Sequence, residues 1–305
     1  MNRKEFLVGA GAAALAGCAT ATVREDDTSM DAVLDQWQLD TDLVKPEAYE
    51  AYRSGGAGTQ GLVSLEKLEA GFEKAFAEIK ATKVSPGKPA IWHIYNMGFI
   101  VKTAETLFSI DLNHRRELEL APMLDFALIT HNHDDHYRQP FYRAMNGAHK
   151  KVINNFIDNY GAERWDHGWC CEGGYTRAEK TFKIRDVEIR TSLTDHNNYL
   201  VDYTTAFEIR TGGFHFLHTG DCSNYDKLNP VWGAVDLWLA FPGCGLDIAG
   251  AEKKLRPRQI AFGHLWELGH RTGRLTTPMV KNARRAVIAA GGASPKIPLW
   301  GERVI

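Results

Sequence analysis

The sequence predicts an α/β fold, on three observations. Short apolar runs that read as buried strands recur from residue 90 onward, and several break within one step into histidine or aspartate. Residues 30–85 instead carry apolar side chains at helical spacing. The chain has 305 residues, 44% of them hydrophobic, which is enough to bury the core of one large domain or two smaller ones. Its 36 Lys+Arg against 38 Asp+Glu leave a net charge of −2, without the basic surplus that nucleic-acid binding uses, so no nucleic-acid partner is expected.

The first residues have a different character. Asn2, Arg3 and Lys4 precede an apolar and small-residue run at 6–16, followed by Gly17 and Cys18. A positive start and a short apolar run describe an export signal over residues 1–17, too short to span a bilayer as a stable helix. Leu15-Ala16-Gly17-Cys18 resembles the lipobox of bacterial lipoproteins. That resemblance implies cleavage before Cys18, lipidation of its thiol, and a membrane-anchored protein on the periplasmic side of the bacterial cell envelope. Asn-Arg-Lys-Glu-Phe-Leu is also similar to a twin-arginine export signal, with Lys4 in place of the second arginine. Small, polar and acidic residues over 18–29 read as a tether.

Residues 30–85 form a helical N-terminal extension. Leu34, Trp37, Leu39, Leu43 and Val44 belong to one or two short helices, Pro46 opening the second, and Gly55-Gly56-Ala57-Gly58 breaks the pattern. Ser64 caps a third helix whose Leu65, Leu68, Phe72, Phe76 and Ile79 make one apolar stripe. Such a stripe needs a surface to cover, so the extension is expected to pack on the main domain, residues 86–305. There, strands at 90–95, 98–103 and 106–112 form a meander that ends at Asp111. A helix over 139–145 stops at Asn146-Gly147. Further strands are expected at 151–154, 182–191, 204–210, 213–217, 237–241 and 259–262. Thr277 caps a helix running through Ala290, and a short strand near 299–304 closes the chain. The aromatic-rich segment 159–175 reads as packing on the sheet, with a substrate wall as the alternative.

Residues 126–136, Phe-Ala-Leu-Ile-Thr-His-Asn-His-Asp-Asp-His, carry the chemistry. A buried strand ends, and His131, His133, Asp135 and His136 follow as four potential ligands within six residues. Imidazole and carboxylate suit zinc, iron or manganese. Later strand ends place His196, Asp221 and His264 where a sheet can converge distant residues on one edge. Asp111 is either a turn former or a carboxylate that supports the metal loop from outside the ligand sphere. His270, six residues past His264, competes with it as last ligand; the glycine before His264 and its strand-end position favour His264, leaving His270 to contact substrate or protonate the leaving group. His93 and His218 read as core histidines, whereas His114, His149 and His167 have no partner motif and are expected on the surface. Cys170, Cys171, Cys222 and Cys244 read mostly as free thiols. Cys222 directly follows Asp221, and neighbouring side chains point apart, so the two are not expected to bind the same cations.

In this order the residues Asp111, His131-x-His133-x-Asp135-His136, His196, Asp221 and His264 resemble the motifs of the metallo-β-lactamase fold superfamily of hydrolases. The resemblance implies a four-layer αβ/βα sandwich and two divalent metal ions, zinc first, with manganese or iron as alternatives. It places His131, His133 and His196 on one cation, Asp135, His136 and His264 on the other, and Asp221 between them. A hydroxide bridging two cations about 3.5–4 Å apart would then attack the substrate, oriented by Asp135 or Asp221. The His-Asn-His-Asp-Asp-His run resembles the branch containing N-acyl phosphatidylethanolamine phospholipase D and ascorbate-phosphate lactonase. That similarity favours a phosphodiester-type bond in a small-molecule or lipid-derived substrate. A lactone or β-lactam is the alternative substrate, and a non-catalytic metal-binding lipoprotein the second alternative.

Overall fold

The apolar runs pair into two sheets in the computed structural model, which describes residues 25–156, 179–197, 200–269 and 276–305. The first sheet holds β1 (Ala90–Tyr95), β2 (Gly98–Lys102), β3 (Leu107–Ile110), β4 (Phe126–Leu128) and β5 (Lys151–Ile153) in that spatial order. Tight turns join β1 to β2 and β2 to β3, so these run antiparallel. Parallel pairing of β3, β4 and β5 needs crossovers, supplied by α4 (Glu117–Leu120) and α5 (Gln139–Gly147).

The second sheet contains β6 (Lys180–Ile184), β7 (Val187–His196), β8 (Leu200–Thr211), β9 (Phe214–His218), β10 (Leu237–Ala240) and β11 (Ile260–Phe262), ordered from β11 to β6. β6 to β9 alternate in direction, β9, β10 and β11 are parallel, and α6 (Ile248–Leu255) is the crossover between the last two. Because β7 and β9 are both antiparallel to β8, they run in one direction. The ends of β7, β9, β10 and β11 therefore share one edge of the sheet. The sheets touch through Thr205 N–H donating to the Thr130 carbonyl at 2.8 Å, and through His218 Nε2, 3.0 Å from the Met97 carbonyl.

Helices cover the outside. α3 (Val63–Ala81) buries Leu65, Leu68, Phe72, Ala75 and Ile79 and packs on β1, where Trp92 Nε1 donates to Glu78 at 3.0 Å. Full burial of each large side chain contributes about 1.5–3 kcal/mol, which explains why this stripe does not remain in water. α1 (Glu25–Asp42) packs on both α3 and α7 (Thr277–Ala289). Trp37 of α1 packs on Trp266 and Trp300, with ring centroids 4.9 and 4.8 Å away. α2 (Pro46–Arg53) starts at its proline, as the missing N–H permits. Among the described residues no helix is long and apolar enough to cross a membrane.

Several expectations are corrected. α1 begins at Glu25, so the end of the expected tether is helical. Ser64 is not a cap: the helix opens at Val63, and Ser64 is buried in its first turn. The expected strand over 182–191 is a hairpin, because Arg185 takes a left-handed conformation and turns β6 into β7. Thr276, not Thr277, precedes the last helix; the Thr277 hydroxyl instead donates to the Leu34 carbonyl at 2.9 Å. Residues 299–304 form no strand, only an isolated pairing of Arg303 with Trp92. The export signal, Cys18, the segment 159–175 with His167, Cys170 and Cys171, and His270 lie outside the described residues.

Candidate metal centre

The loop after β4 is shaped by Asp111. Its backbone continues the pairing of β3, N–H to the Leu128 carbonyl at 3.0 Å, then turns left-handed at φ 46°. This aims the carboxylate across the loop. Oδ1 accepts from Thr130 N–H at 2.7 Å, and Oδ2 accepts from the Thr130 hydroxyl at 2.7 Å and lies 2.8 Å from His136 Nδ1. With its Nδ1 proton held by Asp111, His136 turns Nε2 toward the cluster, the nitrogen whose lone pair a cation would take in place of a proton. The backbone N–H groups of His136 and Tyr137 both donate to the His133 carbonyl, which closes the loop into a tight turn.

His196 is the last residue of β7, Asp221 follows β9, and His264 follows β11. The shared edge of the second sheet brings these three to the loop after β4. His131, His133 and His196 place one donor atom each within 4.8 Å of one another; so do Asp135, His136 and His264, and so do His131, His136 and Asp221. Asp221 thus stands between the two groups. Its Oδ1 is 3.1 Å from His136 Nε2, and its Oδ2 is 3.5 Å from His196 Nε2 and 3.4 Å from His264 Nε2. Asp135 Oδ2 lies 3.3 Å from His136 Nε2 and 2.9 Å from His264 Nε2. Donors bonded at 2.0–2.2 Å to one cation, at octahedral or tetrahedral angles, are separated by about 2.8–3.6 Å. The spacing fits.

The hydrogen-bond inventory points the same way. Nε2 of His131, His136 and His196, Oδ1 of Asp135 and Oδ1 of Asp221 are buried and make no hydrogen bond. One such atom costs about 1–3 kcal/mol, so the four that converge, Nε2 of His131, His136 and His196 and Oδ1 of Asp221, call for shared partners. One cation in each histidine group, with Asp221 between them, would satisfy these four.

Charge is arranged accordingly. Burial pushes the Asp135 and Asp221 carboxyls up, but His136 and His264 outweigh it and hold both well below the usual carboxylate range. Burial opposes the charged form of His264, yet Asp221 and Asp135 raise it to about 10; His136 is likewise raised by Asp135, Asp221 and Asp111. His131 is lowered by burial and by His136, and His133 by burial and by His196. These two are neutral at pH 7, the form that ligates.

Other neighbours carry weaker sequence signals. Asn96, readable only as a turn former between β1 and β2, donates from Nδ2 to Asp135 Oδ2 at 3.0 Å, and its carbonyl accepts from His264 N–H at 2.8 Å. Phe241 stacks on His264 at 4.1 Å. Tyr203 of β8 lies 5.3 Å from His133, ring to ring, and donates its hydroxyl to Asn132. A cleft of about 640 Å³ opens at His133, walled by Arg53 and Ser54 at the end of α2 and by Tyr137 and Arg138. His93 and His218 are buried core residues bonded to backbone. His149 is exposed. His114 is not: it is buried, stacks on Phe72 at 4.4 Å, and is lowered to about 3 by burial and by Arg116. The missing clue was that the α3 stripe would need a flat partner there. Cys222 and Cys244 are free thiols; Cys222 is buried, its Sγ 3.0 Å from Thr194 Oγ1.

Two mixed sheets packed together, helices outside, and ligand loops gathered at one edge make this the metallo-β-lactamase fold. Solved structures show the same architecture. The chain is similar to Igni18, a metallo hydrolase from the hyperthermophilic archaeon Ignicoccus hospitalis, with a TM-score of 0.54 and 19% identity, over 71% of this chain and 98% of that one. It is similar to the metallo-beta-lactamase fold protein YhfI from Bacillus subtilis, with a TM-score of 0.51 and 14% identity, over 70% and 98%. It is also similar to the isothiocyanate hydrolase from Delia radicum gut bacteria, with a TM-score of 0.52 and 14% identity, over 71% and 98%. No protein-family model matches the chain, and no curated protein matches it in sequence.

Proposed function

We propose that the chain is a metal-dependent hydrolase acting on a phosphodiester-type bond of a small-molecule or lipid-derived substrate. The observation that carries the reading is the convergence of four buried donor atoms without hydrogen bonds, Nε2 of His131, His136 and His196 and Oδ1 of Asp221, at the edge where the two sheets meet. His131, His133 and His196 would hold one divalent cation, Asp135, His136 and His264 the other, with Asp221 shared. Such a pair acidifies a water for attack near neutral pH and neutralises charge on the attacked and leaving oxygens. Asp135, held ionised, keeps Oδ1, which makes no hydrogen bond, to accept one from the attacking water and orient it; Asp221, also ionised, is the alternative. Asp111 and Asn96 fix His136 and Asp135 in place.

The cleft beside His133 is of the size of small-ligand sites. Arg53 and Arg138 on its wall favour an anionic ester, although Asp134 and Glu117 share their charge. Reconstituted with zinc, the protein should hydrolyse bis(p-nitrophenyl) phosphate, and His133→Ala should abolish turnover. Ring opening of a lactone or nitrocefin without diester cleavage would move the substrate to a cyclic ester or amide. Two bound cations with no turnover on any of these would leave a non-catalytic metal-binding protein. A lipid anchor on Cys18 would hold this cleft near membrane-derived diesters; intact-mass analysis of the membrane fraction should find a diacylglycerol-modified Cys18 at the mature N-terminus, and an unmodified, unprocessed chain would remove that part of the reading.

A further inference from the structure

We propose that Cys244 is a sulfur ligand of this metal centre, its thiolate joining His196 and Asp221. The inference rests on the metal-centre reading above and adds a ligand to it. Cys244 lies past β10, whose end shares the edge that places His196, Asp221 and His264. Its Sγ, a His196 nitrogen and an Asp221 oxygen are all within 4.8 Å of one another. Sγ is 3.6 Å from Asp221 Oδ2. A sulfur bonded at about 2.3 Å and an oxygen at about 2.1 Å to one cation are about 3.1–3.8 Å apart at ligand angles of about 90–120°, a range that covers four- and five-coordinate sites. His196 Nε2, buried and without a hydrogen bond, faces the same point and lies 3.5 Å from the same Asp221 oxygen.

The backbone adds an independent observation. Gly243, Cys244, Gly245 and Leu246 form a turn closed by Leu246 N–H to the Gly243 carbonyl at 3.0 Å, with φ 53° at Cys244 and 81° at Gly245. Those are the φ values of a type I′ turn, whose first central position prefers asparagine, aspartate or glycine. A cysteine held left-handed there is a locally unfavourable choice, and its effect is to aim Sγ at Asp221. Cys222 shows the contrast: it directly follows Asp221, yet its Sγ is turned to Thr194.

Without a cation the thiol donates to Asp221. On binding, the S–H bond breaks, its electron pair goes to the cation and its proton leaves to solvent, freeing Asp221 Oδ2 at the same moment. A thiolate among imidazoles and carboxylates selects zinc or cobalt over manganese.

The test uses the full chain loaded with zinc or with cobalt(II). X-ray absorption of the zinc form should show a sulfur scatterer at about 2.3 Å, and the cobalt form a sulfur-to-cobalt charge-transfer band in the near ultraviolet. Cys244→Ser should lose both signals and bind one of its two cations at least about tenfold more weakly, whereas Cys222→Ser should keep them. Two cations bound by the wild type through nitrogen and oxygen alone would overturn the inference and leave the metal centre standing, as would signals that survive in Cys244→Ser. A chain that binds no cation would overturn both. The wild-type measurement does not depend on any variant folding.

Discussion

Asp111→Asn should weaken one of the two cations selectively, and the hydrogen bonds say why. Asp111 accepts three hydrogen bonds, from Thr130 N–H, the Thr130 hydroxyl and His136 Nδ1. An asparagine can still accept from Thr130 N–H through its oxygen, and its backbone tolerates φ 46° better than most residues do. The fold should survive. Its amide nitrogen, however, would face His136 Nδ1 as a donor, driving the imidazole to the tautomer that protonates Nε2. That nitrogen is the one aimed at Asp135 and Asp221, and once protonated it has no lone pair for a cation. Losing such an orienting partner costs about 10–100-fold in metal affinity, or about 1.4–2.7 kcal/mol. Chelator competition with zinc should therefore show one equivalent at wild-type affinity and a second weakened by that factor, with a cooperative thermal melt retained. Two equivalents at wild-type affinity in Asp111→Asn would refute the reasoning.

Three further predictions concern the same residues and their supports. In chelator-treated protein, His264 keeps its proton up to about 10 while an unfolded histidine loses it near 6.5; the folded state binds the extra proton in that window, so stability should fall as pH rises from about 6.5 to about 10. Zinc-loaded protein should not follow this trend, because cation binding needs the deprotonated ligand and tightens as pH rises; urea melts at several pH values distinguish the two, and parallel slopes would count against the site. Gly220→Ala combines φ 50° with a Cβ that would sit 2.8 Å from the Thr130 Cβ, an overpacking that costs about 1–3 kcal/mol; an unchanged urea midpoint would show that Thr130 can give way. Trp37→Ala removes the ring packed on Trp266 and Trp300 and should cost about 3–5 kcal/mol, whereas a loss under about 1 kcal/mol would mean that α1 is outside the cooperative unit.

Much of the fold was legible because its signals are local. Apolar runs that stop at histidine or aspartate predicted strand ends, and β1, β2, β5 and β11 fall within a residue or two of their expected positions. Ligand candidates were legible for the same reason: a strand end is a place in the sequence. What the sequence does not display is direction and pairing. Cys244 also follows a strand, but only the alternation of β7, β8 and β9 and the parallel run to β11 reveal that its strand ends on the edge used by His196, Asp221 and His264. Asn96 looked like any turn former, and its contact with Asp135 spans 39 positions. His114 had no motif because its partner is an aromatic face on α3, not a ligand.

The helical extension is tied to both halves of the second ligand group, which bears on why it is there. From the end of α2, Arg53 donates to the Asp134 carbonyl at 2.6 Å and pairs with its carboxylate, gripping the loop one residue before Asp135. From α1, Trp37 packs on Trp266, a left-handed residue two positions after His264. Tyr49 of α2 packs on Tyr95, whose hydroxyl accepts from Leu268 N–H at 2.8 Å in that same segment. Neither loop has a regular ladder of its own to hold it at the distance a cation requires. Three side chains of the extension therefore stabilise the spacing between Asp135 and His264, and a chain lacking them would hold the first ligand group better than the second.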